Sequence, residues 1–290
     1  MSDGARPTYL ERLAARSAAT GTVLCLGLDP DPNALPEGFA PNLQGVEQFA
    51  QLVLDAALPF AAVVKPNLSF YEAFGSAGVA MLERLRGRIP ADVPVIGDGK
   101  RGDIDSTSAR QSAAYYDGLG LDAVTINPYL GEDGLRTYLE RADRFAYVLC
   151  RTSNPGAAEL QGIRVTDPDE PLWARVARVV AGWGPGGTAG LVVGATAPDE
   201  LRAARAIAPG LAFLVPGVGA QGGSIEPVLA AGPATAAPAG GRAGGGLVVN
   251  VSRGIAGAAL GAPEPGASAD PGERIAEAAR SWAAKLPVLP

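Results

Sequence analysis

The segment Asp98-Gly99-Lys100-Arg101-Gly102-Asp103 carries the residue types that a proton-transfer site needs. A lysine ammonium can give up a proton, and a carboxylate beside it supplies the opposite charge that burial demands. Residues 98 and 100 are two apart, so they point to the same side of an extended segment. Two rarities sharpen the reading. The chain holds no histidine, which removes the commonest general base and the commonest metal ligand. It holds three lysines, Lys65, Lys100 and Lys285, against 21 arginines. Routine surface cations here are arginines, so a lysine at the end of an apolar run calls for a reason.

Lys65 ends the run Phe60-Ala-Ala-Val-Val-Lys65. If its strand lies beside the one ending at Asp98, four groups form a row of alternating sign: Lys65, Asp98, Lys100, Asp103. Buried charges persist only when paired, and an alternating row gives each member a partner. Such a row suits a site where Lys100 donates a proton and a carboxylate resists protonation. The plainer alternative is an ion network with no chemistry. The use of two of only three lysines, on neighbouring strand ends, argues against it.

A second constellation is Pro216-Gly217-Val218-Gly219-Ala220-Gln221-Gly222-Gly223. Its glycines let a backbone approach a ligand closely, and successive N–H groups there would form an anion nest. Farther on, Asn250-Val251-Ser252-Arg253-Gly254-Ile255 leads into an expected helix, and Arg253 offers a fork suited to phosphate. Ser153, in Arg151-Thr152-Ser153-Asn154-Pro155, is a weaker candidate for a polar heterocycle edge.

The elements that must position these residues are short apolar runs alternating with helical patterns. Strands are expected at about 22–28, 60–65, 93–98, 122–127, 145–151, 190–194, 211–215 and 247–251. Helices fall between them, at 44–58, 76–88, 106–117, 133–141, 171–183, 198–207 and 272–284. The strands are near-continuously apolar, as strands covered on both faces are. Eight such units predict an α/β fold, a (β/α)8 TIM barrel, as a single domain over 1–290. A doubly wound sheet is the runner-up. Segment 1–20 is expected to be an extra helix closing the barrel's N-terminal end. Inserted loops are expected at about 155–189 and 232–246, the latter small-residue and mobile. In a barrel, catalytic groups gather at strand C-termini, where Asp29, Lys65, Asp98, Lys100, Pro216, Ser252 and Arg253 all fall.

Bulk properties bound the rest. A net charge of −6 argues against nucleic-acid binding, which needs a basic face. Hydrophobic residues make up 47%, enough for a large core, yet no apolar run reaches membrane-spanning length. The first twenty residues lack the apolar stretch of a signal peptide. Cys25 and Cys150 sit in apolar runs and read as buried thiols, which fits the cytoplasm.

Taken together, Lys65-Pro-Asn67, Asp98-Gly-Lys100-Arg-Gly-Asp103-Ile104 and Pro216-Gly-Val-Gly-Ala-Gln-Gly223 resemble the orotidine 5′-phosphate decarboxylase family, in its longer bacterial branch. The resemblance runs from Leu26-Gly-Leu-Asp29 to Val251-Ser-Arg253-Gly-Ile. It implies conversion of orotidine 5′-phosphate to uridine 5′-phosphate and CO2, with no metal and no cofactor. It implies that Asp29 and Lys65 contact the ribose, that Asp98 sits beside the substrate carboxylate, and that Lys100 protonates the carbon losing CO2. Ser153 would hold the pyrimidine. Pro216, Gly219, Gln221, Ser252 and Arg253 would surround the phosphate. A homodimer is implied, with Asp103, Ile104 and Thr107 serving the partner subunit's site.

Three rivals remain. Metal-using decarboxylases and hexulose-phosphate synthases on this scaffold need a carboxylate where Lys65 stands. A Schiff-base aldolase would use Lys65 or Lys100 as nucleophile, which flanking carboxylates oppose. A non-catalytic phosphate binder would be expected to have a broken charge row.

Overall fold

A computed structural model describes residues 6–219, 222–237, 241–262 and 266–288. The strands are β1 (Leu24–Leu28), β2 (Val63–Pro66), β3 (Ile96–Arg101), β4 (Ala123–Ile126), β5 (Phe145–Arg151), β6 (Arg164–Thr166), β7 (Asp169–Pro171), β8 (Ala189–Val193), β9 (Ala212–Val215) and β10 (Leu247–Val251). Eight of them pair in parallel in the order β2-β1-β10-β9-β8-β5-β4-β3. Bridges Val64↔Val95 and Asn67↔Asp98 join the two ends of that order and close the barrel. The expected (β/α)8 architecture is therefore present, and the doubly wound alternative is not.

The barrel has two apolar layers. An outer core lies between strands and helices, built from residues such as Leu26, Val64, Val124 and Val148. The interior is filled by Cys25, Val63, Ile96, Ala123, Phe145, Tyr147, Val192, Leu214 and Val248. Each strand thus sends alternate residues inward, as the two-residue period requires.

The expected N-terminal helix is Tyr9–Thr20, started by a capping box between Thr8 and Glu11. Tyr9, Leu10 and Leu13 join the interior cluster from below. Tyr9 stacks on Phe145 at 4.8 Å and its hydroxyl meets that of Tyr147 at 3.1 Å. Arg6 and Arg12 fasten the segment to Asp122, a fully buried carboxylate at the foot of β4, at 2.8 and 2.7 Å.

Several boundaries shift for identifiable reasons. Leu58–Phe60 forms a 3-10 turn around Pro59, so β2 starts at Val63 rather than at residue 60. The helix expected over 106–117 is α-helical at Asp105–Ala113 and continues as a π-turn, Ala114–Gly118. The stretch 155–189 contains a short helix, the antiparallel ribbon β6–β7, and the helix Leu172–Val180, which packs on β5 and β8 in the ordinary barrel position. Within 232–246, residues 238–240 lie outside the described ones. The loop's base is fixed, with Ala234 N–H donated to Gly245 O at 3.0 Å and the buried Arg205 guanidinium donated to the Gly232 carbonyl. Among the described residues no helix is long and apolar enough to cross a membrane.

Candidate active site at the strand C-termini

The same inward alternation that fills the barrel builds the site. Two residues above Val63 stands Lys65, two above Ile96 stands Asp98, and two above Ala123 stands Thr125. The polar groups therefore form the layer directly over the apolar plug. Lys65 is 3% exposed, so its charge survives only because it is paired.

Asp98 is the centre of the cluster. Its Oδ2 accepts Lys65 Nζ at 2.8 Å, and its Oδ1 accepts Lys100 Nζ at 2.6 Å and the Thr125 hydroxyl at 3.0 Å. Burial alone would raise the Asp98 carboxyl, but Lys65 and Lys100 outweigh it and hold it well below the usual carboxylate range. Burial would likewise lower Lys65. Asp98, with Asp29 behind it, reverses this and holds Lys65 above its ordinary value. The signs fix the linkage. The Asp98 contribution to stability is present above the unfolded carboxylate pKa of about 3.9 and is lost in acid. The Lys65 contribution is full below about 10.4 and is lost as the pH climbs beyond that.

The expected four-membered row is corrected to three within one chain. Asp103 forms no ion pair among the described residues, and its Oδ1 accepts the Ile104 N–H at 2.8 Å. It lies two residues past the end of β3 at Arg101. Ile104 is 53% exposed and Thr107 is also exposed. Ile104 lies against Gly134 with Leu130, and Tyr129 nearby in sequence is 82% exposed.

Lys100 has a left-handed backbone, φ 49°, uncommon for a residue with a side chain. The next residue, Arg101, is anchored outward by Tyr115 and Glu72. Neither Thr125 nor this bracket was singled out from the sequence. The only sign of Thr125 was a hydroxyl at an inward position of an otherwise apolar strand.

Beside the charge cluster lies a cavity of about 410 Å3, lined by Asp29, Pro216, Gly217, Ser252 and Arg253 among others. Asp29 links the two regions, since its Oδ1 accepts the N–H of Asn67 at 3.1 Å, two residues past Lys65. Arg253 is exposed and has no ion-pair partner among the described residues. Ser153 is half-buried over Gly194, where any Cβ would collide with it at 2.9 Å. Gln221 lies outside the described residues.

The N–H groups of Gly219, Gly222 and Gly223 are donated to the carbonyls of Gly223, Gly219 and Gly217. These three bonds close the described part of the loop on itself. The helix after β10 is only four residues, Arg253–Ala256, so its dipole is small. Gly217, Gly219 and Gly222 all have positive φ, which explains the glycine density of the loop. The two cysteines are buried as expected, and burial pushes each thiol up to about 12.

The chain is 43% identical to an orotidine 5′-phosphate decarboxylase of Herpetosiphon aurantiacus, over 85% of its length and 88% of the relative's. It is 45% identical to one of Halorubrum lacusprofundi, over 86% and 87%. Among solved structures, OMP decarboxylase of Leishmania donovani superposes with a TM-score of 0.78 at 34% identity, covering 95% of each chain. UMP synthase of the same organism superposes at 0.81 and 36% identity, and the present chain spans 55% of it. Residues 22–267 match the family model described as orotidine 5′-phosphate decarboxylase / HUMPS family. By these matches, the chain belongs to the orotidine 5′-phosphate decarboxylase / HUMPS family.

Proposed function

We propose that this chain is a carboxy-lyase that converts orotidine 5′-phosphate to uridine 5′-phosphate and CO2 in pyrimidine biosynthesis. The observation that carries the reading is Asp98 held between Lys65 and Lys100 at the inner end of β3. When the C–CO2 bond breaks, its electron pair stays on the pyrimidine carbon, and the Lys100 ammonium delivers a proton there. Asp98 resists protonation because two ammonium groups face it, so a negative charge stays beside the departing carboxylate. Lys65 also separates this site from the metal-using members of the scaffold, because a buried cation repels a divalent ion where they need a carboxylate.

Enzymes lower barriers by roughly 8–23 kcal/mol, and one well-placed electrostatic contact supplies only about 3–4. Lys100 therefore needs help from binding energy realised away from the reacting carbon. Arg253 and the loop Pro216–Gly223 are the groups for the phosphate, with Gly219, Gln221 and Ser252 beside it. Asp29 and Lys65 face the ribose, and Ser153 the base. Arg253→Ala is expected to raise KM for orotidine 5′-phosphate by about 10- to 100-fold through loss of a charged hydrogen bond of roughly 1.5–3 kcal/mol. Initial-rate kinetics read this directly.

The assembly is a homodimer in which Asp103, Ile104 and Thr107 serve the partner subunit's site. Two features support this: the Asp103 carboxylate has no ion-pair partner among the described residues, and its main chain meets the exposed Ile104 and Leu130 around Gly134. The protein works as a single-domain, cytoplasmic enzyme without metal or cofactor. Incubation with orotidine 5′-phosphate, followed by NMR of the nucleotide, is expected to yield uridine 5′-phosphate. Unchanged substrate would contradict the assignment.

A further inference from the structure

Between the pairs Gly97↔Val124 and Arg101↔Ile126, β3 carries three residues, Asp98, Gly99 and Lys100, while β4 carries one, Thr125. A regular ladder cannot form across such a bulge, and backbone groups there need other partners. Thr125 is 1% exposed and faces inward. Its hydroxyl accepts the backbone N–H of Lys100 at 2.9 Å and donates to Asp98 Oδ1 at 3.0 Å. The single hydroxyl proton is thereby committed to Asp98. The same carboxylate oxygen receives Lys100 Nζ at 2.6 Å. A closed circuit results, running from the Lys100 main chain through Thr125 and Asp98 back to the Lys100 ammonium.

We propose that Thr125 is a positioning residue for the proton donor: its hydroxyl holds the main chain of Lys100 and orients the Asp98 oxygen on which the Lys100 ammonium rests. This rests on the decarboxylase reading. Thr125 itself stays off the reacting atoms and acts through Lys100. Lys100 needs such a hold, because its left-handed backbone would otherwise relax and carry the ammonium away. Misplacement by about 1 Å is enough to cost on the order of 100-fold in rate.

Valine matches threonine in size and branching but lacks the hydroxyl. Thr125→Val is expected to lower kcat on orotidine 5′-phosphate by roughly 30- to 100-fold while KM moves less than about threefold. Thr125→Ser, which restores the hydroxyl, is expected to return kcat to within about threefold of wild type. Calorimetric binding of uridine 5′-phosphate reports the folded site in each variant. If Thr125→Val binds none, Thr125→Ser against Thr125→Ala makes the same comparison, with serine expected to be the faster. Wild-type kcat in Thr125→Val, or serine no faster than the hydroxyl-free variants, would overturn the inference while leaving the decarboxylase reading standing. Wild-type protein that leaves orotidine 5′-phosphate intact would overturn that reading, and the inference with it.

Discussion

Lys100→Ala is expected to slow turnover of orotidine 5′-phosphate by at least about 1,000-fold, with uridine 5′-phosphate still bound. General acid catalysis alone contributes roughly 100- to 10,000-fold, and no other acid stands ready to replace it. The chain has no histidine, and Lys65 is tied to the far oxygen of Asp98. The ammonium sits on Asp98 Oδ1 with its side chain 48% exposed, so it can turn toward a substrate without unfolding its surroundings. Removing it leaves Asp98 with Lys65 and Thr125, so the layer over the apolar plug keeps its partners. Progress curves followed by ultraviolet absorbance measure the rate, and calorimetry with the product measures binding. Turnover within tenfold of wild type would remove Lys100 from the mechanism.

Asp98→Asn is expected to damage both rate and stability, in contrast to Lys100→Ala. The amide cannot counter two ammonium groups, and Lys65 is left as a buried, under-compensated charge. Breaking a buried pair in this way costs about 3–5 kcal/mol, which a denaturant midpoint reads directly. Turnover is expected to fall by roughly 100-fold or more, since Lys100 loses the oxygen that orients it. The pH dependence carries a sign. In the wild type Asp98 holds Lys65 above its ordinary value, so raising the pH from 7 to 9.5 does not release the pair. In the variant burial acts on Lys65 with the Asp98 carboxylate gone and the lesser influences of Asp29 and Cys25 left to oppose it, so the charged form is disfavoured in the fold. Deprotonation then relieves the fold, and the stability gap to wild type is expected to narrow as pH rises. A gap that widens over that range would contradict the assignment of Lys65 and Asp98 as a buried pair.

Most of the frame was legible in the sequence because burial on both faces gives a simple signal. The run from Phe145 to Arg151 is a strand end to end, and β10 matches its expected bounds. Boundaries slipped where local turn chemistry overrode apolarity, as at Pro59 ahead of β2. The three-charge cluster was readable because spacing in a strand maps directly onto side. Asp103 was not, since its role depends on a turn and not on a period. The loop at 217–223 shows the same limit. Its glycines signalled positive φ correctly, but they do not say whether an N–H points at a ligand or at its own loop. The bulge opposite Thr125 was invisible, because nothing in Asp98-Gly99-Lys100 fixes how many residues the neighbouring strand sets against it.

One measurement bears most directly on the central claim that Lys65, Asp98 and Lys100 perform a metal-free decarboxylation. Purified wild-type protein is mixed with orotidine 5′-phosphate, and the absorbance loss on decarboxylation is followed with and without EDTA. The same rapid rate in both is expected, because the position where a metal-using relative would place a carboxylate is filled by Lys65, a cation already committed to Asp98. A rate abolished by EDTA and restored by a divalent cation would contradict the account at its centre.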